Sequence, residues 1–358
     1  MAENITVPKG LADVIVDETA IASTDSDGNL IYRGYVAEEL AEKSTFEQVA
    51  YLIVYGHLPD RGELREFTSF LNSHENVTGT RRIMRLLPKD VLTIDMLRTV
   101  VSLVPLAEKD NDMVLLEIAA KMPRIISDGY RLTRGMKPFG KIRGSYAEKF
   151  YHLLTGSVDK KDARLFEELL ILYMEHEFNA STFALRVTAS TLADPRAAVT
   201  AALAAIKGPL HGGANAEILG YLLSLKSKEE ARKYVDRKLD KKELVMGFGH
   251  RIYKAKDPRA QYLKRRLKDL ALEKGAGQLY EVAVAIEDEM WEKKNIPANV
   301  DFYAAICMYL LGIDGTFNTP IFAASRSFGW AAHYLEQVSG NKLIRPSSRY
   351  VGKTGLHV

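Results

Sequence analysis

Gly208-Pro-Leu-His-Gly-Gly-Ala-Asn215 is a glycine turn with a histidine at its centre and a helical pattern on either side. Residues 194–207 are alanine-rich and read as a tightly packed helix. Gly208 and Pro209 stop it, because proline has no amide hydrogen to donate and restricts the backbone of the residue before it. Residues 214–225 read as the next helix. His211 is therefore expected at a tight turn near a helix start. Unpaired N–H groups and the positive end of the helix dipole disfavour an imidazolium there. A neutral imidazole can donate an N–H to a carbonyl oxygen that is gaining charge. The plainer account of a lone histidine is a surface residue in a glycine turn, so the choice rests on the remainder of the chain.

Helical signals dominate in both directions. Thr45-Phe-Glu-Gln48 and Asp60-Arg-Gly-Glu63 have capping-box spacing, and the helix opened by the first runs to Gly56. Residues 91–106, 113–130 and 145–154 read as further helices, with the Gly-, Lys- and Arg-rich 131–143 as a loop. Residues 163–192 contain neither proline nor glycine and are apolar on more than one face. That is the pattern of a buried central helix, bent or broken around Asn179. Residues 226–244 are charged and solvent-facing. Residues 257–274, 279–294, 302–311 and 319–338 read as the later helices, and the tail after Gly340 as irregular. Residues 14–35 differ: short alternating stretches flank Asp27-Gly28-Asn29 and predict a small β-hairpin. The fold class is all-α with that N-terminal hairpin.

The 358 residues suffice for a sizeable core and two lobes. With 49 basic and 46 acidic residues, the net charge of +3 gives no general case for nucleic acid or an anionic membrane. Lys264-Arg-Arg266 and Lys241-Lys242 have acidic residues interleaved nearby, as solvated faces do. No uninterrupted apolar run is long enough to span a bilayer, and residues 1–10 lack the apolar core of a signal peptide. The single cysteine, Cys307, excludes an internal disulfide and fits a reducing cytosol, so the expected location is cytoplasmic. It falls in an apolar helix and reads as a core residue.

Several polar residues stand where burial is expected. His176 lies inside the apolar 163–192 pattern. No second His or Cys sits at helical ligand spacing from it, so no metal site is expected, and a buried histidine needs hydrogen-bond partners. His250 follows the backbone-exposing Met246-Gly-Phe-Gly249. Lys254, Lys256 and Arg259 then crowd Asp257-Pro258, which reads either as a solvated basic loop or as an anion site in which Arg259 binds a carboxylate with both arms of its fork. Asp301 directly precedes an apolar helix. It reads as an N-cap, or as a carboxylate base kept ionised by the helix N-terminus. Arg326 lies between apolar neighbours and must be paired or await an anion. Arg345, taken alone, is an ordinary surface arginine.

Together, in this order, the segments resemble the citrate synthase family: Tyr32-Arg-Gly-Tyr35, His176-Glu-Phe-Asn-Ala-Ser-Thr182, Gly208 to Asn215, Gly247-Phe-Gly-His-Arg-Ile-Tyr-Lys254 with Asp257-Pro-Arg259, Asn299-Val-Asp301, Ser325-Arg326 and Arg345-Pro346. The resemblance implies a two-domain helical homodimer that condenses acetyl-CoA with oxaloacetate and hydrolyses citryl-CoA to citrate and CoA. The related 2-methylcitrate synthases, which take propionyl-CoA, share every motif, so the alternatives are such an enzyme or one of dual specificity that accepts both thioesters. By the family pattern, residues 1–212 and 313–358 form the large domain and 213–312 the small one. His211, His250 and Asp301 are catalytic. His176, Arg259 and Arg326 bind oxaloacetate, with Arg345 reaching over from the partner subunit. Leu244, Val245, Met246, Gly247 and Phe248 receive CoA, and Lys254 stands where the family often has a phosphate-binding arginine. The pattern implies CoA as co-substrate, no tightly bound cofactor, no metal, and no nucleic-acid or membrane partner.

Overall fold

The computed structural model describes residues 9–11, 14–212, 215–250, 252–253 and 255–357. Its helices are α1 Ala37–Lys43, α2 Phe46–Tyr55, α3 Arg61–Ser73, α4 Arg81–Leu86, α5 Thr93–Val101, α6 Asn111–Thr133, α7 Tyr146–Thr155, α8 Lys160–Tyr173, α9 Ala180–Ser190, α10 Pro195–Ile206, α11 Asn215–Ser224, α12 Lys228–Asp240, α13 Pro258–Glu273, α14 Gly277–Lys294, α15 Val300–Leu310 and α16 Asn318–Ser339. Both capping boxes form, with Thr45 accepting from the Gln48 amide and Asp60 from that of Glu63. Gly56 ends α2 in the left-handed conformation, which costs glycine least. None of the described helices is long and apolar enough to cross a membrane.

The N-terminal β structure is larger than the expected hairpin. Strands β1 Ala22–Thr24, β2 Leu30–Tyr32 and β3 Tyr35–Val36 form one antiparallel sheet. The second turn is Arg33-Gly34, both at positive φ (48° and 92°). A two-residue turn of this hand matches strand twist, but arginine is a poor signal for it. The Arg33 guanidinium donates to the carbonyls of Ile53 and Ala20, which offsets the strain.

The centre of the molecule is α16, with α6, α2, α8, α9 and α10 packed around it. From Pro320 to Tyr334 it is buried throughout, including Phe328 and Trp330. The long 163–192 pattern divides into α8 and α9, and the segment between them carries His176. The 91–106 pattern shortens to α5. Helices α11 to α15 pack mostly on one another and meet the rest through α11 on α16 and through α13 on α8 and α1. The expected domain boundary, at residue 213, lies outside the described residues.

Candidate active site

The break between α8 and α9 is built by side chains distant in sequence. The Tyr32 hydroxyl lies 2.9–3.3 Å from the carbonyls of Ile171, Leu172 and Glu175. These belong to the end of α8 and the residues after it, where carbonyls lack partners within the helix. Glu177 takes a positive φ of 50°, and Asn179 caps α9 by accepting from the Thr182 amide. Behind the break, Glu175 Oε1 pairs with His333 Nε2 at 2.9 Å, both fully buried. Arg186 Nη1 donates to His333 Nδ1, so Nε2 carries the proton given to Glu175. A Cβ at Gly329 on α16 would stand 2.2 Å from Glu175 Oε2, which requires glycine there.

His176 therefore sits in a braced irregular segment and not within a continuous helix. It is buried, and its Nε2 has no hydrogen-bond partner among the described residues. Its ring centroid is 4.9 Å from that of His250. Burial, followed by the charges of Arg259, His250 and Arg326, holds its pKa well below the ordinary histidine value. It is neutral at pH 7 and faces two arginines.

His211 is neutral as expected, for a different first reason. Burial, then Arg326, brings its pKa down to about 4. The helix start that its ring meets is that of α9, not α11. The Ser181 amide donates to His211 Nε2 at 3.3 Å, and Ser181 Oγ lies 2.8 Å from the same nitrogen. An N–H that points at Nε2 leaves the imidazole proton on Nδ1.

His250 and Asp301 are brought together by two backbone segments that lace antiparallel. Phe248 bridges Ala298, Gly249 N–H donates to Pro297 and Asn299 N–H to Gly247, both at 2.9 Å. Gly247 has φ 92°, and a Cβ there would approach Phe302 to 3.0 Å. His250 Nδ1 accepts the amides of Ile252 and Tyr253 at 3.1 and 3.2 Å, while Arg259 Nη2, also a donor, lies 3.4 Å from Nε2; the two shorter amide contacts favour the proton on Nε2. The N-cap of α15 is Asn299, whose side chain accepts from the Asp301 amide; Asp301 itself lies in the first turn. It is thus not the cap, and its carboxylate is directed elsewhere: Oδ1 accepts from the Tyr173 hydroxyl at 3.0 Å.

The two buried arginines differ. Arg259 holds Asp257 with two arms, Nε to Oδ1 at 3.0 Å and Nη2 to Oδ2 at 2.9 Å. Burial works against its charge, but Asp257 more than offsets this and its pKa lies above the ordinary value. Asp257 also caps α13 and accepts the Val300 amide at 3.0 Å, which fixes α15 beside it. Arg326 has no such carboxylate among the described residues. Its Nε donates to the Tyr173 carbonyl at 2.8 Å, and Nη2 is buried with no partner among the described residues. Burial lowers its pKa, partly countered by Glu175. It remains a cation at neutral pH, since the guanidinium starts so high.

Of the sequence-derived candidates, His176, His250, Arg259, His211, Arg326 and Asp301 fall into this one cluster. Arg345 lies exposed on the tail after α16. In the loop expected to receive CoA, Leu244 is exposed, Val245 and Gly247 are buried, and Phe248 packs on Phe302. Lys254 lies outside the described residues. Among the described residues no group of three or more His, Cys, Asp or Glu is placed to hold a metal. Cys307 is a core residue, and burial pushes its thiol up to about 12. Sequence reading gave no separate role to Tyr32, Tyr173, Ser181, Asp257 or Asn299. The last two carried a usable signal, an Asx residue followed by a helical pattern. The tyrosines carried none, since an ordinary core position in a strand or a helix has the same appearance.

The family described as "Citrate synthase, C-terminal domain" matches residues 10–347. The chain is 38% identical to citrate synthase 2 of Bacillus subtilis, over 97% of this chain and 96% of the relative. It is equally 38% identical to 2-methylcitrate synthase of Shewanella oneidensis, over 96% and 94%. Among solved structures, citrate synthase of Thermotoga maritima superposes with a TM-score of 0.91 at 38% identity, covering 99% of this chain and 98% of that one. The Thermoplasma acidophilum citrate synthase, solved in a ternary complex with carboxymethyl coenzyme A and oxaloacetate, gives 0.91 at 33% identity, again over 99% and 98%. A family match across nearly the whole chain, on a site assembled from the motifs of that family, leaves one assignment: this chain belongs to the citrate synthase family and is a condensing acyltransferase.

Proposed function

We propose that the chain condenses acetyl-CoA with oxaloacetate and hydrolyses the resulting citryl thioester to citrate and CoA. One observation carries the proposal: Arg326 lies within electrostatic range of both Asp301 and His211, so a base and a neutral donor flank one buried cation. A thioester methyl group is a very weak acid. Its proton leaves when a carboxylate removes it while a hydrogen bond holds the forming enolate oxygen. Asp301 is the base, and His211 donates from Nδ1. The enol then attacks the ketone carbon of oxaloacetate, and His250 donates from Nε2 to the oxygen that becomes an alkoxide. His176, Arg259 and Arg326 hold the carboxylates, Arg326 with the Nη2 that has no partner among the described residues and Arg259 with the N–H groups that Asp257 leaves over, and together they fix the angle of attack. Water then cleaves the thioester, which draws the condensation forward.

The proposal includes a cytosolic homodimer in which Arg345 completes the partner's oxaloacetate site, with residues 213–312 as the small domain of a closing cleft. Its exposed position on an irregular tail suits such a reach. Residues 244–248, an exposed leucine followed by backbone held open at Gly247, suit the pantetheine arm of CoA, with Lys254 at its phosphates. The reaction needs no metal in this scheme, because imidazoles and arginines carry the developing charge.

Arg326→Met tests the anion site. It removes charge-assisted hydrogen bonds to a carboxylate and raises the KM for oxaloacetate about 10²-fold, with a smaller effect on kcat. An unchanged KM in steady-state assays places the carboxylates elsewhere. The acyl donor is tested by comparing kcat/KM for acetyl-CoA and propionyl-CoA. One methylene in an apolar pocket discriminates by about 10–200-fold, and acetyl-CoA is expected to be the better donor. The reverse order makes the chain a 2-methylcitrate synthase.

A further inference from the structure

Tyr173, the last residue of α8, touches the proposed machinery at three points. Its hydroxyl donates to Asp301 Oδ1 at 3.0 Å. Its carbonyl accepts from Arg326 Nε at 2.8 Å. Its ring packs on Phe322 at 4.6 Å between centroids, and the other side of this contact is the edge-on ring of His211, 5.8 Å from Phe322. The residue is fully buried.

Each contact has a physical cause. A helix ends with carbonyls that lack partners and with the negative pole of its dipole, so the end of α8 is where a buried guanidinium is held without a carboxylate. A buried phenol needs an acceptor. Backbone carbonyls of α8 would suffice for an ordinary core tyrosine, yet this hydroxyl reaches across to the carboxylate of α15. A hydrogen bond to the ionised form of a carboxylate stabilises that form and fixes its orientation.

We infer that Tyr173 is a positioning residue for the condensation, whose hydroxyl orients the Asp301 carboxylate and keeps it ionised while its carbonyl sets Arg326. The inference rests on Asp301 being the base. Among the described residues, the other charged groups near Asp301 include Arg326 from α16 and, beside Val300, the Asp257–Arg259 pair at the start of α13. All of them stay in place when one oxygen is removed from Tyr173.

Tyr173→Phe in the full chain removes that oxygen and keeps the ring and the carbonyl. Expected are a fall in kcat of about tenfold, a KM for oxaloacetate within about twofold of the parent, and an acid limb of the kcat profile displaced upward by about one pH unit. A merely structural tyrosine lowers thermal stability and leaves the acid limb where it was, and that result overturns the inference. So does a raised KM with kcat retained. Incorporation of 3-fluorotyrosine at position 173 keeps the donor and strengthens it. It moves the limb downward and decides the matter even if the phenylalanine variant does not fold; an unmoved limb again counts against the inference. Asp301→Asn separates the two readings. If it retains turnover, the base assignment itself fails. If it abolishes turnover while both changes at 173 leave the limb unmoved, only the role of Tyr173 fails.

Discussion

Asp301→Asn lowers kcat by about 10³–10⁴-fold, with oxaloacetate affinity retained. The amide keeps the shape of the carboxylate and can still receive the Tyr173 hydroxyl on its oxygen, so the start of α15 is not disturbed. Asn299 supplies the cap, and Asp257 anchors the Val300 amide. What is lost is the lone pair that, in the proposed reaction, takes the methyl proton. Arg326 loses an anionic neighbour, which favours a bound dicarboxylate if it alters binding at all. Steady-state CoA release measures the first quantity, and calorimetric titration with oxaloacetate the second. Turnover within tenfold of the parent would show that another group removes the proton.

His211→Leu lowers kcat by about 10²–10³-fold, the usual loss for one donor at a developing oxyanion. The tautomer makes the prediction sharper. Because the Ser181 amide points at Nε2, the donated proton is on Nδ1. Asn places an amide close to the Nδ1 position and restores part of the loss. If both variants are equally impaired, the tautomer assignment is wrong. The same residue shapes acid stability. Its pKa is about 4 in the fold, against an ordinary histidine value of 6.5. As pH falls through 6.5 the unfolded chain takes up this proton and the folded chain does not. The fold therefore loses stability between about pH 6.5 and 4, by roughly 3 kcal/mol from this group, and no further below 4. His176, buried with a pKa displaced the same way, adds to that slope. His211→Leu flattens it, which denaturant melts at pH 7 and pH 5 would register.

Local sequence was sufficient wherever structure follows from short-range chemistry. The caps at Thr45 and Asp60, the start of α7 at Ser145 and the end of α10 before Gly208 could be read from the chain because each depends on residues within four positions. The third strand could not, since Arg33 tolerates its left-handed turn only by donating to a carbonyl 20 residues away. The division of 163–192 was legible as a position, Asn179, but not as a device: Tyr32 and the Glu175–His333 pair that hold it open come from the sheet and from α16.

The same division holds at the site. The sequence by itself named the candidates, three histidines, two arginines and an aspartate, through the order of motifs that resembles one family, since each of them taken alone had a plainer surface, cap or core reading. Only the tertiary structure decided their protonation and aim. Neutrality of His211 comes first from burial and then from Arg326, its donating side is set by the Ser181 amide 30 residues earlier, and the carboxylate of Asp301 points where a tyrosine 128 residues earlier holds it. Charge state and direction depend on solvent exclusion and on partners across the cluster, and those exist only once the chain has packed.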